Sequence, residues 1–150
     1  MRIRLHIRDE RYGQIEQELV SKGFVIDEDA DLILTEKDQF VDHLIVRDRM
    51  RSEFVRIGID EIVVIESFGH DIIVRTQQGE YRTSDRLYQL ERLLDSEQFL
   101  RISNSVIIAR SKIKRIAPTL SSKFILTMSN GQTVDVTRSY YGIFKERLGI

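Results

Sequence analysis

Residues 62–83 read IVVIESFGHDIIVRTQQGEYRT, and this stretch decides the fold class. Ile62–Phe68, Ile72–Thr76 and Glu80–Thr83 are short runs rich in β-branched and aromatic residues, each bounded by a turn signal. Gly69-His70 separates the first run from the second. Gln77-Gln78-Gly79 separates the second from the third, as a hairpin loop does. The spacing therefore predicts strands with short turns.

The same pattern continues toward the C-terminus. Thr83 or Ser84 is placed to cap a helix in which Leu87, Leu90 and Leu94 share a face. Further strands are predicted at Leu100–Ile102, Val106–Ile108, Ile113–Ile116, Phe124–Met128 and Thr133–Val136. Asn130-Gly131 joins the last two, and both residue types tolerate the positive φ of a type I′ turn. Pro118 sits with Ser121-Ser122 in a connecting loop. A last helix carries Tyr141, Phe144 and Leu148 on one face, and Gly149 stops it.

Toward the N-terminus, Phe54–Ile57 is one more strand, and beyond it the pattern changes. Arg2–Arg8 alternates apolar and charged residues with the period of a half-buried strand. Asp9 can cap a helix with Tyr12, Ile15 and Leu19 on one face, closed by Gly23. Phe24–Ile26, Leu32–Leu34 and Leu44–Val46 read as short strands. Residues 1–48 thus form a small α+β extension, and residues 49–150 form a β-rich domain. An extension of that length is too small to be comfortably stable without packing on something else.

Composition narrows the function. The chain has 150 residues, no Cys and one Pro, so no disulfide framework or thiolate metal site exists. The N-terminus lacks the apolar core of a signal peptide, and no apolar run reaches membrane-spanning length. The expectation is a cytoplasmic protein. Formal net charge is −1, yet residues 101–150 hold nine Lys/Arg and only two acids. A local excess of +7 attracts phosphate. The acids concentrate instead among Asp27, Glu28, Asp29, Asp31, Glu36, Asp38 and Asp42, which reads as a solvated loop region.

No enzyme signature is present: there is no Gly-rich phosphate loop, no metal-ligand spacing and no nucleophile elbow. No cofactor is implied. His6, His43 and His70 are far apart in sequence. His70-Asp71 reads more simply as a hairpin turn than as an acid–base pair. Asp38 after an apolar run reads as a surface residue rather than a phosphoacceptor. Two polar interruptions in the basic third invite a different chemistry, Ser103-Asn104-Ser105 and Thr137-Arg138-Ser139-Tyr140. Asn and Arg suit bidentate contacts to adenine and guanine edges in the major groove. His70, Asn104 and Arg138 all lie at breaks between regular elements, where a rigid sheet presents side chains to a partner. Bland readings exist for each: a turn Asn, a residue in the first turn of a helix, a solvated cationic face over core strands.

The residues also resemble a known family. Residues 57–70, Tyr81-Arg82-Thr83 before the Leu87/Leu90/Leu94 helix, and residues 99–108 with the pattern F-x-R-x-x-x-S are similar to a LytTR DNA-binding domain. Residues 113–116, Asn130-Gly131 and residues 134–140 complete the likeness, which covers about residues 45–150. Ala109 and Thr137 stand where many members have Asn and Ser. The resemblance implies an elongated, mostly β arrangement of small sheets with short helices, which reads successive major grooves through loops. It implies DNA contacts at His70, at Asn104-Ser105 and at Thr137-Arg138-Ser139. Arg138 and Asn104 would read bases, His70 a base or phosphate, and Ser105, Ser139, Lys112 and Lys114 the backbone. Members regulate transcription and bind repeated sites in double-stranded DNA, often as homodimers. A receiver domain is absent from the sequence, so the implied type is a stand-alone regulator, sometimes controlled by a membrane-bound inhibitor. Residues 1–48 are assigned to dimerisation or inhibitor docking. The alternative is a protein-interaction module using the acidic N-terminal unit and the basic C-terminal face. RNA binding is weaker still, because the strands show no cluster of exposed aromatics for stacking.

Overall fold

The computed structural model describes residues 1–36 and 40–150; Asp38 lies outside the described residues. The chain is mostly β and divides into two compact units, Met1–Phe40 and Val41–Ile150.

The first unit is a parallel sheet in the order β2-β1-β3, formed by β1 (Arg2–His6), β2 (Val25–Ile26) and β3 (Leu32–Thr35), with helix α1 (Asp9–Ser21) between β1 and β2. Arg8 occupies the cap position of α1, and Asp9 is the first helical residue. An acid there still favours the helix through the positive N-terminal dipole. Gly23 follows α1 at φ +91°, as the sequence suggests. Burial is thin. Ile3, Leu5 and Ala30 are the buried apolar residues of the unit, and α1 buries none. Polar contacts supplement this core: Arg8 Nε donates to Glu36 at 2.6 Å, and Arg2 Nε donates to Asp27 at 2.7 Å.

The second unit holds a seven-stranded antiparallel sheet and a three-stranded antiparallel sheet. The large sheet comprises β4 (His43–Asp48), β5 (Phe54–Gly58), β6 (Ile62–Phe68), β7 (Asp71–Thr76), β8 (Glu80–Thr83), β9 (Phe99–Arg101) and β10 (Val106–Ala109), in the order β5-β4-β8-β7-β6-β10-β9. Leu44–Val46, assigned from sequence to the N-terminal extension, is therefore part of this sheet: it pairs with β5, and the following Arg47-Asp48 of the same strand pair with β8. Only these distant partners reveal its place. Helix α2 (Leu87–Leu93) begins at a cap on Arg86, not on Thr83 or Ser84. The Thr83 hydroxyl instead accepts the Asp85 N–H in a tight turn, and the Gln89 side chain accepts the Arg86 N–H at 2.7 Å.

The small sheet contains β11 (Ile113–Pro118), β12 (Phe124–Met128) and β13 (Thr133–Val136), followed by helix α3 (Arg138–Leu148). Pro118 ends the edge strand β11 opposite Phe124 and is not in the loop; an edge strand tolerates its missing N–H. In the β12–β13 turn only Gly131 takes positive φ, at +87°. Asn130 instead accepts the Gln132 N–H with its side chain, so the turn is longer than the expected type I′.

The run Ile62-Val63-Val64-Ile65 is continuously apolar because β6 is central and covered on both faces. Ile65, Val74, Ile107 and Val46 pack with Leu87 and Leu90 of α2 and with Leu94 at its C-cap. Val64, Ile108, Leu100 and Val106 face the other way. They pack with Leu126, Met128, Val134 and Val136 of the small sheet and with Phe144 of α3. A bulge between Ile62 and Val64 lets Val63 join Val64 in that second core. Between the sheets, Gln132 Nε2 donates to Glu66 at 3.4 Å, and Arg75 holds Glu66 at 2.6 Å.

Candidate nucleic-acid interface

The β6–β7 hairpin ends on a two-residue turn, because Phe68 pairs with Asp71. Gly69 takes φ +59° at the first central position, the place where a type II′ turn requires glycine. His70 then has ordinary backbone geometry and an exposed side chain at the tip.

The β9–β10 connection is equally tight. Ile102 N–H donates to Val106 O at 3.0 Å, closing a loop over Ser103, Asn104 and Ser105. Ser103 is buried, and its hydroxyl accepts the Ser105 N–H at 3.2 Å. Arg101 braces the loop from beneath. Its guanidinium donates to Ser103 O at 2.7 Å, to Asn104 O at 2.5 Å and to Glu91 Oε2 at 2.7 Å. The Asn104 side chain is left exposed on a backbone that cannot easily move.

The third segment leads into α3. Thr137 N–H donates to Ile102 O at 3.0 Å. Thr137 stands at the N-cap without a side-chain cap bond, and Arg138 is the first helical residue. The first turn of α3 contains no acid, although an acid would stabilise that end and a cation opposes it. Arg138 and the free N–H groups of the turn therefore concentrate positive potential at one point. Arg138 and Ser139 are exposed. Tyr140 Oη donates to Asn104 Oδ1 at 3.4 Å, a long bond that aligns the Asn104 amide with α3.

Backbone bonds tie the three segments together. Ser67 N–H donates to Ser105 O at 2.8 Å, which sets the Asn104 loop beside the His70 hairpin. The Thr137–Ile102 bond sets the Arg138 turn on its other side. The structure thus brings His70, Asn104, Ser105, Arg138 and Ser139 to one edge of the second unit. Lys112 and Lys114 are not part of it. Lys112 follows Ala109, at the opposite end of β10 from Ser105, a separation of about 13 Å at the rise of a strand. Lys114 lies near the start of β11, whereas Arg138 follows the strand end paired near Pro118. Charge alone groups these lysines with the loops, and strand direction separates them. The brace on Arg101 was missed. Its place in the F-x-R-x-x-x-S pattern was visible, but its carbonyl acceptors were not.

Comparison with known proteins gives a consistent picture. The family model described as "LytTr DNA-binding domain" matches residues 52–149. The chain is 31% identical over 101 residues to the "Sensory transduction protein LytT" of Bacillus cereus, covering 67% of this chain and 41% of that protein. It is 28% identical over 94 residues to the "Sensory transduction protein LytR" of Staphylococcus saprophyticus, covering 63% of this chain and 37% of that protein. The chain thus spans less than half the length of these relatives. A solved structure, the LytTr DNA-binding domain of a putative methyl-accepting/DNA response regulator from Bacillus cereus, superposes with TM-score 0.69 at 24% identity. It covers 73% of this chain and 99% of that one, and establishes the fold.

Proposed function

The chain belongs to the LytTr DNA-binding domain family, and on that premise we propose that it is a sequence-specific transcription regulator that reads the major groove through loops. The observation that carries the reading is the convergence of three exposed polar turns on one edge, the Asn104 loop among them braced by Arg101. Arg138 offers a bidentate fork for guanine O6 and N7, and Asn104 offers an amide for adenine N6 and N7. His70 contacts a base or phosphate. Ser105 and Ser139 hold the backbone, as hydroxyls at groove edges do. Lys112, in the turn after β10, and Lys114, near the start of β11, are left out of the contact set. No enzymatic step or cofactor enters.

The first unit, Met1–Phe40, is proposed to serve dimerisation or inhibitor docking; of the residues 1–48 assigned to this role from sequence, His43–Asp48 belong to the large sheet. What supports this is edge strand β3, where Leu32, Ile33 and Leu34 are 52%, 48% and 39% exposed. An apolar edge strand invites pairing. A homodimer matches repeated half-sites in double-stranded DNA, and a membrane-bound inhibitor is the second occupant considered. No helix among the described residues is long and apolar enough to cross a membrane, and action in the cytoplasm is part of the proposal.

A gel shift on genomic fragments across a salt series tests the function. Selected fragments should stay bound in excess competitor DNA. Uniform binding that competitor abolishes would contradict sequence-specific recognition.

A further inference from the structure

The proposed interface leaves a second basic cluster unexplained. In the β4–β8 ladder Arg47 stands directly opposite Arg82. Like charges facing each other on neighbouring strands destabilise a sheet, and here little neutralises them. The nearest carboxylate to Arg82 is Asp71, 3.7 Å from Nη1 and beyond hydrogen-bond reach. Arg82 Nε is buried with no acceptor. The Arg47 guanidinium lies over the Phe54 ring at 5.4 Å and has no ion pair among the described residues. Asp48, the acid between Arg47 and Arg49, also lines the cleft. Its carboxylate is engaged by the Met50 and Arg51 N–H groups at 2.8 and 3.4 Å. Arg49 and Ser52 complete the lining of this shallow cleft around Arg47 and Arg82.

The cluster is continuous with the edge already described. Asp71, within 3.7 Å of Arg82, is the residue after His70. Arg82 pairs with Ile73 on β7, Arg47 with Arg82, and Phe54 with Arg47. The row Arg82, Arg47, Phe54 therefore runs sideways from the His70 hairpin, about 10 Å across at the spacing of adjacent strands.

We infer that Arg47 and Arg82, with Arg49 at the rim, grip the phosphodiester backbone of the duplex beside the turn that carries His70. This rests on the proposed function and adds contacts that it does not contain. A single anion between the two forks turns their repulsion into attraction. The planar guanidinium suits phosphate better than an ammonium does. Such contacts fix register and carry no base information. The facing arginines, with Asp71 alone held near one of the two forks, are thus a local cost in stability retained for binding.

The test uses the full chain and a random-sequence 30-base-pair duplex, with binding measured by fluorescence anisotropy across a potassium chloride series. If each arginine neutralises one phosphate, Arg47→Gln and Arg82→Gln each flatten the log–log salt slope by about 0.9 and weaken binding roughly fivefold at 0.15 M salt. The double variant loses roughly 30-fold. The melting midpoint of each variant stays level or rises, because repulsion is relieved. Arg49→Gln, on the exposed hairpin, carries the same expectation if either variant is poorly folded. Wild-type slope and affinity in all three variants overturn the inference. If Arg138→Ala still loses selected genomic fragments in that case, the proposed function survives. A wild-type chain that binds no duplex overturns both.

Discussion

Replacing Arg101 with Met should loosen the loop that presents Asn104 while sparing the core. Met keeps much of the apolar stem and removes the guanidinium. Three bonds are lost, to Ser103 O at 2.7 Å, to Asn104 O at 2.5 Å and to Glu91 at 2.7 Å. A hydrogen bond with one charged partner contributes a net of about 1.5–3 kcal/mol. The Arg101 side chain is 19% exposed, so the two carbonyl bonds are only partly screened. Glu91 is 50% exposed, and a pair of that kind contributes about 0–1 kcal/mol. The orphaned carbonyls lie at a surface turn and can recover water. Together these place the loss of unfolding free energy at about 2–4 kcal/mol. Urea denaturation followed by tyrosine fluorescence measures it, since the chain has five Tyr and no Trp. Glu91→Gln should cost less than about 1 kcal/mol, because the carbonyl bonds survive. A second readout separates bracing from stability alone. In the Arg101→Met background, Asn104→Ala should cost less DNA affinity than in wild type, with a coupling of about 1 kcal/mol. A loss below about 0.5 kcal/mol, together with additive effects on binding, would refute the brace.

Arg138→Ala should remove about 1–3 kcal/mol of operator discrimination by anisotropy competition. Its melting point should not fall, since the substitution takes a cation from the positive end of α3. Leu126→Ala, at a fully buried site in the second core, should cost about 2–5 kcal/mol by urea denaturation; a smaller loss would mean that the small sheet does not cover the large one. Gly69→Val should destabilise the β6–β7 hairpin, because a β-branched residue resists φ +59°, and should weaken DNA binding along with it; unchanged amide exchange in β6 and β7 would contradict the turn assignment. The Glu36 carboxyl is held below its ordinary range by the Arg8 guanidinium, with its own burial acting in opposition. Its folded-state value lies below the unfolded one. Its contribution is therefore complete above about pH 4.3 and is lost as pH falls through the depressed value. Amide cross-peaks of β1 and β3 should weaken over that acid range, and Glu36→Gln should reduce the dependence, leaving the part that Asp27 contributes, held low by the Asp29 N–H and the Arg2 guanidinium.

Local signals carried much of the fold. β6, β8, β12 and β13 match their expected limits residue for residue, because a short β-branched or alternating run between turn signals suffices to bound a strand. Features set by distant partners were not legible. Leu44–Val46 is apolar and short, and nothing nearby says whether it joins the first unit or the second. The α2 cap was misplaced because Thr83 spends its hydroxyl on a turn before the helix starts. At the candidate site, the exposed Asn104 and Arg138 were readable as polar interruptions in apolar runs. The Arg101 brace and the facing arginines at 47 and 82 were not, since both depend on strand register. Charge counting grouped Lys112 with the loops, and only the direction of β10 places it at the opposite end.

The most direct test is selection of binding sites from a random duplex library by the wild-type chain and by His70→Ala, Asn104→Ala and Arg138→Ala. The wild type should enrich one motif, and Asn104→Ala and Arg138→Ala should each lose preference at its own separate position within it; His70→Ala should lose a position if it reads a base, or weaken binding to all sequences if it holds phosphate. Enrichment of nothing by the wild type, or recovery of the full wild-type motif by all three variants, would contradict an edge that reads DNA through these turns.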